Sequence, residues 1–412
     1  MRLILENFRI VDEKTDSTGR VVIEDGIICE SAYKKDSAAI VIDGASLISN
    51  SKKGLPILMP AFADLHAHFR DPGFPQKETL ESASLAAAAG GFGTVVCMAN
   101  TNPVIDNPGI VQMLKKRSAA LGLIDLYPVM SLTRGMEGKE LSEITALEAG
   151  NSLPLMLSED GKDPADDKLF LAALKEAKRI GIPVSCHCDL GGESNAVSRV
   201  IELGKKAGCH IHIAHVSTKE SVEIIRRAKA EKPSAGNGFT LSCEVMPHNL
   251  CLTEEDALKL GKDSHGKVNP PLRTEEDRKA LIRGITDGTI DAIATDHAPH
   301  TRADKEAGAP GFSGFETAFA AVYTEFTRDG IELQKLSSLM SASPARLLGL
   351  GHKIGRVLPG YKADLVILDT ESSWIVDPEA FKSRGKNSAF TGRELFGKII
   401  MTIHSGRIVF QQ

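Results

Sequence analysis

Two histidines separated by one residue form the pair in this chain with the clearest chemical meaning. His66 and His68 follow an apolar segment, residues 55–62, whose composition predicts a buried strand. Side chains at positions i and i+2 of a strand point to the same face. Two imidazoles side by side on that face can bind one divalent metal ion, and zinc suits such ligands. Arg70 lies two residues further on and adds a cation suited to a substrate that carries a carboxylate.

Four more residues of metal-ligand type each stand at the end of a strand-like run: Asp160, His187, His215 and Asp296. The carboxyl ends of the strands in a parallel barrel open onto its active site. One polar residue at such a position would carry little weight, because motif matches include false positives. Four histidines and two aspartates at strand ends together indicate a site for two zinc ions that share a carboxylate and a hydroxide.

The other histidines fit structural or supporting roles better. His210 and His212 lie within one strand and point to one side, so we interpret them as structural residues with satisfied hydrogen bonds. His297 follows a candidate ligand directly, so its side chain is expected to point away from the pocket and to support it by hydrogen bonding. The histidines at 248, 265, 352 and 404 are left outside the predicted metal site.

The cysteines predict neither a disulfide framework nor a metal site. There are seven, an odd number, without the spacing of a disulfide framework, which favours buried thiols in a reducing compartment. Cys186 and Cys188 flank His187, but the alternation of a strand turns both thiols away from the face that carries the histidine.

The elements that must position these residues alternate between strand-like and helix-like segments from residue 55 to about residue 350. The strands are predicted at 55–62, 95–98, 124–129, 153–157, 183–186, 210–214, 239–245 and 290–294. The helices are predicted at 78–89, 109–121, 138–149, 167–180, 193–207, 219–230 and 275–285. Repeated βα units imply parallel strands, and eight of them predict an α/β protein with a (β/α)8 TIM-like barrel over residues 55–354.

The two ends of the chain have a different pattern. Residues 1–54 and 355–412 contain short apolar runs joined by hairpin signals, Asp25-Gly26 in the first and Ser405-Gly406 in the second. Neither end has enough apolar surface to form a core alone. We therefore predict one small β-sandwich domain that is formed by both termini and flanks the barrel.

Composition excludes several classes of function. The net charge is −5 and charged residues make up 25% without a long basic block, which gives nucleic-acid binding no electrostatic support. The first residues lack the apolar core of a signal peptide, and no apolar run is long enough to cross a membrane. These features predict a cytoplasmic protein that acts on a small molecule.

Several motifs, taken together, resemble one family. They are HAHFRDPG from His66, MANTNP from Met98, HVSTKES from His215, KVNPPLR from Lys267, ATDHAPH from Ala294, GFET from Gly314 and GRVLPGYKADLV from Gly355. The first and last are typical of the amidohydrolase superfamily, and MANTNP, NPPLR and TDHAPH resemble dihydroorotases of the long bacterial type. The resemblance covers nearly the whole chain.

The resemblance implies the reversible cyclisation of N-carbamoyl-L-aspartate to (S)-dihydroorotate in pyrimidine biosynthesis, by zinc-activated hydroxide chemistry. By motif, His66 and His68 would bind one zinc ion, His187 and His215 the second, Asp160 would bridge them, and Asp296 would bind metal and act as catalytic acid and base.

The bridging ligand has two candidates in the sequence. Many relatives bridge their metals with a carbamylated lysine, and the predicted strand at 153–157 contains no lysine. The following turn is Glu159-Asp160-Gly161, where either carboxylate could be the bridge. Asp160 is favoured because it directly precedes the glycine, as the ligand does in the family.

The resemblance also implies residues that bind the substrate. These are His68, Arg70, Asn100, Asn269, His300 and Gly311, the last within a segment at 301–313 that is predicted to be a mobile loop over the site. Without the resemblance, Asn100 and Asn269 would be interpreted as turn residues before proline-rich segments. A homodimer and association with aspartate carbamoyltransferase are further implications.

Two alternatives compete with this prediction. Another cyclic amidohydrolase, such as a hydantoinase or allantoinase, would share the barrel and the paired histidines but usually has the lysine bridge and lacks the set formed by Arg70, Asn100 and His300. A non-catalytic homologue that scaffolds aspartate carbamoyltransferase would have lost metal histidines, and this chain retains all four. A metal analysis combined with a dihydroorotate assay would separate the three.

Overall fold

The structure is a computed structural model that describes residues 2–30, 39–48, 54–148, 154–231, 238–260, 266–328 and 330–412. The strands in these ranges are β1 (Arg2–Val11), β2 (Asp16–Glu24), β3 (Ile27–Cys29), β4 (Ile40–Asp43), β5 (Ile57–Pro60), β6 (Phe62–Ala67), β7 (Phe92–Cys97), β8 (Asp125–Pro128), β9 (Leu157–Ser158), β10 (Val184–Cys186), β11 (His210–Ile213), β12 (Thr240–Val245), β13 (Ala292–Ile293), β14 (Leu365–Ile375), β15 (Glu394–His404) and β16 (Arg407–Gln411).

The α-helices in the same ranges are α1 (Gly44–Leu47), α2 (Leu80–Ala89), α3 (Pro108–Leu121), α4 (Asp167–Ile180), α5 (Glu193–Ala207), α6 (Lys219–Ala230), α7 (Pro247–Cys251), α8 (Glu254–Lys259), α9 (Glu275–Asp287), α10 (Arg302–Glu306), α11 (Phe315–Arg328), α12 (Leu333–Ser337) and α13 (Ser343–Leu347). Short 3-10 turns lie at Arg134–Met136, Glu143–Ala146 and Pro378–Ala380, and a π-helical turn at Ser338–Ala342 joins α12 to α13.

Strands from both ends of the chain form one eight-stranded sheet. Its order is β16-β15-β14-β5-β1-β2-β3, with β4 paired to β1. The two hairpins, β1 with β2 and β14 with β15, are antiparallel, and β5 joins them by pairing with β1 and β14. Apolar side chains from six of these strands pack in a core of their own, which includes Leu5, Leu58, Leu365 and Ile403. The prediction that both termini build one β unit is confirmed.

The single strand predicted at 55–62 is wrong, because this run contains two strands that belong to different sheets. β5 pairs with β14 of the terminal sheet, with Leu58 opposite Ile367, whereas β6 pairs in parallel with β7. The chain passes between the sheets at Ala61, whose N–H donates to the carbonyl of Asp364 at 2.9 Å. Both strands are fully buried, so hydrophobicity alone could not separate them.

The remaining strands form two parallel sheets, β6-β7-β8 and β9-β10-β11-β12-β13. Backbone hydrogen bonds link the sheets at both margins. On one side Ser158 donates to Met130 at 3.1 Å, and on the other Asp296 donates to His66 at 2.9 Å and His68 to His297 at 2.7 Å. The helices α2 to α6 and α9 connect successive strands, so the predicted α/β pattern with parallel strands is confirmed.

The helix at 167–180 shows why several predicted boundaries agree with the structure. The carboxylate of Asp166 caps the first turn by accepting from the N–H groups of Lys168 and Leu169, and Gly181 ends the helix at φ +74°. Its buried residues recur at helical spacing and face the strands: Phe170, Ala173, Leu174, Ala177 and Ile180. The helices at 193–207 and 219–230 also have the predicted bounds.

The helix predicted at 138–149 is replaced in the described residues by the short turn Glu143–Ala146. Here Ser142 and Glu143 donate hydrogen bonds to the carbonyls of Ser131 and Asp106, so neighbouring loops satisfy polar groups that a helix would satisfy internally. Residues 149–153 lie outside the described ranges, and β9 begins at Leu157, the last residue of the strand predicted there.

Candidate metal centre and substrate pocket

The ends of the parallel strands bring all six predicted metal-ligand residues together. His66 lies near the end of β6, and His68 is the first residue after this strand. Their Nε2 atoms lie 3.3 and 3.5 Å from the carboxylate oxygens of Asp160, which follows β9. The paired imidazoles therefore face one carboxylate, as their i, i+2 spacing predicts.

The same carboxylate also faces the second histidine pair. His187, after β10, places Nδ1 at 3.5 Å from Asp160 Oδ1, and His215, after β11, places Nε2 at 3.6 Å from it. Two groups of ligand atoms result, each within 4.8 Å and both containing Asp160. This is the arrangement expected when one carboxylate lies between two metal sites.

Glu159 is turned away from the histidines. Its carboxylate accepts hydrogen bonds from the N–H groups of Leu132 and Thr133, at 2.9 and 3.1 Å, and from the Thr133 hydroxyl. Gly161 ends this acidic turn at φ +86°, a conformation that favours glycine. Of the two candidates for the bridge, the geometry favours Asp160.

Asp296 is a second carboxylate that faces the first histidine pair. Its Oδ1 is 3.1 Å from His68 Nε2 and 3.8 Å from His66 Nε2. The backbone of Asp296, like that of Arg70 and His215, has a positive φ, with values of +46°, +57° and +35°. Residues with a Cβ rarely adopt this conformation, and such strain concentrates at functional sites.

The residues present fit a divalent cation at each position. His66 Nε2 and Asp160 Oδ1 are buried and make no hydrogen bond within the described part of the chain. Buried polar atoms without partners are costly, and a cation would satisfy both. Burial alone would raise the pKa of Asp160, but the imidazole of His66 and the other histidines hold it well below its usual range. Imidazole nitrogens with a shared carboxylate suit zinc.

A buried glutamate behind the site was not identified from the sequence. Glu244, in β12, contacts His66 Nδ1 at 3.0 Å and His212 Nε2 at 3.1 Å. Burial raises its pKa, but His212 and His66 together lower it to about 2, so Glu244 is a carboxylate. His66 Nδ1 then donates to Glu244 and leaves Nε2 free for the metal side. The sequence signal for Glu244 is a single acidic residue in a strand that otherwise carries no charge.

The histidines at 210 and 212 form one hydrogen-bonded group with Ser242. His210 Nε2 and His212 Nδ1 each lie 2.8 Å from its hydroxyl. The interpretation of both as hydrogen-bonded structural residues is confirmed, with the addition that His212 also supports Glu244 behind the metal centre.

A cavity of about 190 Å³ opens beside the ligand residues. The predicted substrate residues His68, Arg70, Asn100, Asn269, His300 and Gly311 all line it. Asn100 Oδ1 accepts from His68 Nδ1 at 2.9 Å, which directs His68 Nε2 to the metal side and leaves the Asn100 NH₂ group for a ligand. Arg70 is anchored by donation from Nε to the carbonyl of Pro299 at 3.3 Å.

His300 is a neutral side chain that lies close to positively charged side chains. Burial, with Arg70 and Lys77 nearby, lowers its pKa to about 3. Its Nε2 lies 2.9 Å from the carbonyl of Pro310 and its Nδ1 lies 3.4 Å from Lys77 Nζ. The neutral ring thus donates to Pro310 and accepts from Lys77, and Arg70 is the charged donor that faces the cavity.

Asn269 and Gly311 also line the cavity. The Asn269 amide lies 3.3 Å from His187 Nε2. Gly311 has φ +106°, and a Cβ at this position would lie 2.6 Å from the Ala298 side chain, so only glycine allows the backbone to line the cavity here.

His297 and the flanking cysteines lie outside the cavity, as predicted. His297 Nδ1 accepts from the N–H of Gly314 at 3.1 Å, and its ring stacks on Phe315 at 4.1 Å. The thiols of Cys186 and Cys188 are buried and face the backbone carbonyls of Val184 and Cys186. The GFET motif therefore fixes the His297 ring by a hydrogen bond and by stacking.

A third group of possible ligands lies far from the cavity and already contains a cation. Asp125, Asp364 and His404 have ligand atoms within 4.8 Å of one another. Lys362 Nζ lies 3.0 Å from Asp364 and also contacts Asp125. The ammonium takes the position of a metal ion, so this group is an ion-pair network.

Among the described residues, no helix combines the length and the apolar character needed to cross a bilayer.

Comparison with known sequences identifies the family. The model of the amidohydrolase family matches residues 57–409. The dihydroorotase of Clostridium botulinum (strain Eklund 17B / Type B) is 39% identical over 422 residues, and that of Aquifex aeolicus (strain VF5) is 36% identical over 440 residues, each covering 100% of both chains.

Solved structures show the same fold. The L-hydantoinase (dihydropyrimidinase) from Arthrobacter aurescens aligns with a TM-score of 0.86 at 24% identity, over 99% of this chain and 96% of its own. A D-hydantoinase (dihydropyrimidinase) from Thermus sp. aligns with a TM-score of 0.83 at 21% identity, over 98% and 94%. At these identities the likeness concerns the fold alone. By its sequence relatives, the chain belongs to the dihydroorotases of the amidohydrolase family.

Proposed function

We propose that this protein is a dihydroorotase, which interconverts N-carbamoyl-L-aspartate and (S)-dihydroorotate in pyrimidine biosynthesis. The observation that carries the proposal is one carboxylate, Asp160, shared by two histidine pairs beside a cavity that Arg70 and Asn100 also line. Full-length relatives named dihydroorotase support the same substrate.

Two zinc ions are proposed for the metal centre. His66, His68, Asp160 and Asp296 would hold one, and Asp160, His187 and His215 the other. When bound in such a site, zinc lowers the pKa of a bound water and polarises a carbonyl. The contacts of Glu244 to His66 and of Asn100 to His68 fix which ring nitrogen of each histidine faces the metal.

Asp296 is proposed to move the proton. Its carboxylate lies at the cavity within 3.1 Å of His68 Nε2. In hydrolysis, Asp296 accepts a proton from the attacking water and donates it to the ring nitrogen as the C–N bond breaks. In cyclisation, Asp296 accepts the proton from the carbamoyl nitrogen as that bond forms, and returns it to the carboxylate oxygen whose C–O bond breaks, so that this oxygen leaves as hydroxide.

Arg70 is proposed to bind the carboxylate that dihydroorotate carries on its ring. Its guanidinium faces the cavity and can donate two parallel hydrogen bonds to a carboxylate. Asn100 also lines the cavity and offers its NH₂ group, and His68, Asn269, His300 and Gly311 would contact the rest of the substrate.

The architecture proposed for this site is a closed (β/α)8 barrel with a small β-sandwich domain. The hydrogen bonds that link the two parallel sheets at both margins support a closed barrel. The separate core of the terminal sheet supports the sandwich. The domain limits, 55–354 for the barrel and 1–54 with 355–412 for the sandwich, are part of this proposal, and β5 contributes its pairing to the terminal sheet.

A cytoplasmic homodimer that associates with aspartate carbamoyltransferase completes the proposal. Buried cysteines without disulfides, such as Cys97 and Cys243, fit a reducing compartment. Sedimentation of the protein alone and with aspartate carbamoyltransferase would measure both associations.

The function is tested by pairing metal analysis with activity. The purified protein should contain two zinc ions per chain and hydrolyse dihydroorotate, and chelation should abolish activity until zinc is restored. Asp296→Asn should lower kcat by about 10²–10⁴-fold, and its zinc content is measured in parallel because Asp296 is also a proposed metal ligand. Asp166→Asn is a matched control, because asparagine caps a helix as well as aspartate does. Undiminished hydrolysis by protein verified to be free of metal, or a preference for hydantoin over dihydroorotate, would contradict the proposal.

A further inference from the structure

Lys305 carries a buried positive charge in the segment that covers the substrate cavity. It lies in α10 and is 2% exposed. Its Nζ donates to the backbone carbonyls of Gly311 at 2.7 Å, Ala309 at 2.9 Å and Lys267 at 3.4 Å. An ammonium has three N–H donors, so these three carbonyls use all of them.

This arrangement is costly in free energy and is not needed for packing. Burial, with some repulsion from Lys267, lowers the pKa of Lys305 to about 8. A buried charge without a counter-ion is unfavourable, and a methionine would fill a similar volume without that cost. The interactions that distinguish lysine here are the hydrogen bonds to the three carbonyls.

The carbonyls belong to two segments beside the cavity that are distant in sequence. Gly311 lines the cavity in one segment, and Asn269, two residues after Lys267, lines it in the other. Gly311 also donates its own N–H to the carbonyl of Lys267 at 2.9 Å. Lys305 and Gly311 thus bind the same carbonyl, and Lys305 also holds the carbonyl of Gly311.

Two contacts to other parts of the chain hold the start of the segment. Asp304 pairs with Lys77 at 3.4 Å, and Asn387 donates to the carbonyl of His300 at 2.8 Å. Both contacts hold residues that precede Lys305 in the chain. Between Lys305 and Gly311, the Lys305 ammonium binds the carbonyls of Ala309 and Gly311, and the His300 ring binds that of Pro310 at 2.9 Å. Of these two side chains, only Lys305 also binds the carbonyl of Lys267.

We infer that Lys305 is a positioning residue, which clamps residues 309–311 against the segment 267–269 so that the cavity wall is formed before the substrate binds. A wall that is ordered in advance removes part of the entropic cost of binding. The inference rests on the proposed function for the substrate's identity, whereas the order of the segment is measurable without any substrate.

The test compares Lys305→Met with Arg302→Gln, a control on the same short helix whose side chain is exposed and pairs with Glu306. In Lys305→Met, KM for dihydroorotate should rise about tenfold while kcat changes less than about threefold, because the clamp acts on binding. Amide hydrogen exchange in residues 299–312 of the substrate-free protein should accelerate, with exchange in the barrel strands unchanged. Arg302→Gln should match the wild type in all three measurements. Lys305→Arg, which retains donors and charge, should recover part of the KM.

Each other outcome overturns the inference. Wild-type exchange in residues 299–312 of Lys305→Met would show that the clamp does not order the segment, whatever happens to KM. Faster exchange with an unchanged KM would show that this order does not serve binding. Global unfolding of Lys305→Met would assign the lysine to overall stability. If the wild type failed to hydrolyse dihydroorotate, the proposed function would fail, while the exchange measurement would still decide the clamp.

Discussion

At the scale of single residues, the centre depends on side chains that fix the ring orientation of others. Asn100 sets the orientation of His68, and Glu244 sets that of His66, each through the ring nitrogen that faces away from the metal side. A histidine held in this way loses little freedom when it binds a metal. These supporting contacts should therefore be visible in metal affinity as well as in rate.

Replacing Glu244 with glutamine should weaken zinc binding about 10- to 100-fold, because the amide removes the negative charge that orients His66 and pairs with His212. Competition with a calibrated chelator measures the affinity. Glu306→Gln, at an exposed residue of α10, is the matched control. Unchanged zinc affinity in a folded Glu244→Gln protein would show that Glu244 has no part in holding the metal.

Arg70 should bind the substrate carboxylate through two parallel hydrogen bonds from its planar guanidinium. Arg70→Lys should lower kcat/KM for dihydroorotate, and Arg70→Ala should lower it by roughly 30- to 1000-fold, the loss of a charged hydrogen bond worth about 2–4 kcal/mol. The loss should be smaller for dihydrouracil, which has the ring without the carboxylate. Equal losses on both substrates would instead make Arg70 a structural cation beside His300.

The ligand residues could be predicted because their chemistry leaves a local pattern. His66 and His68 alternate on a strand, and Asp160 precedes a glycine at a turn. Glu244 could not be predicted, since its partners are 178 and 32 residues away, and nothing in the local sequence relates them. The choice between Glu159 and Asp160 also required the contact from Thr133, which lies in another loop.

At the scale of elements, helices were predicted well where capping residues define both ends, and strands less well where burial is uniform. Asp166 and Gly181 fix the ends of α4, and Thr218 caps α6. The run at 55–62 gave no sign of its change of sheet, because apolar strands on either side of Ala61 look alike. The segment at 301–313 was predicted as a loop and contains α10, whose capping box joins Thr301 and Asp304.

The position of α10 should depend on pH through Lys305. The pKa of this lysine is about 8 in the closed segment, against its ordinary 10.5 in water, so the closed form binds fewer protons than the open one. Closure is therefore favoured as pH rises, by roughly tenfold between about pH 7 and pH 9. Lys267 repels the charge, and His300, with a pKa of about 3, stays neutral throughout.

Hydrogen exchange in residues 299–312, corrected for the intrinsic pH dependence of amide exchange, measures this effect. Protection should increase with pH in the wild type and in Arg302→Gln, and it should lose that dependence in Lys305→Met. Protection that decreased with pH in the wild type would contradict the lowered pKa.

At the scale of the whole molecule, the terminal sheet and the parallel sheets are joined in two ways, by a direct passage of the chain and by ion pairs. β5 and β6 belong to different sheets and are separated by Ala61 alone. Asp364, just before β14, and His404, at the end of β15, meet Asp125 at the start of β8. The hairpin pattern common to both chain ends predicted that they form one unit. The junction could not be predicted in this way, because it depends on contacts between residues hundreds of positions apart.

The junction should make the protein unfold as one unit, and Asp364 should be its most sensitive residue. Asp364 is buried, lies 3.2 Å from His404 Nδ1 and 3.0 Å from Lys362 Nζ, and accepts from the N–H of Ser405 at 2.7 Å. Asp364→Ala leaves two basic groups without their buried partner, which should lower the free energy of unfolding by about 3 kcal/mol. Asp364→Asn should cost less, because its amide oxygen can still accept from Ser405.

Urea unfolding followed by far-ultraviolet circular dichroism, and separately by the fluorescence of Trp374 in β14, reports on the whole molecule and on the terminal sheet. The two transitions should coincide in the wild type. Glu137→Ala, in an exposed ion pair with Lys139, should leave the midpoint unchanged. If Trp374 fluorescence changed in a separate, earlier transition in the wild type, the sheets would be independent folding units. Asp364 would then stabilise only the terminal sheet.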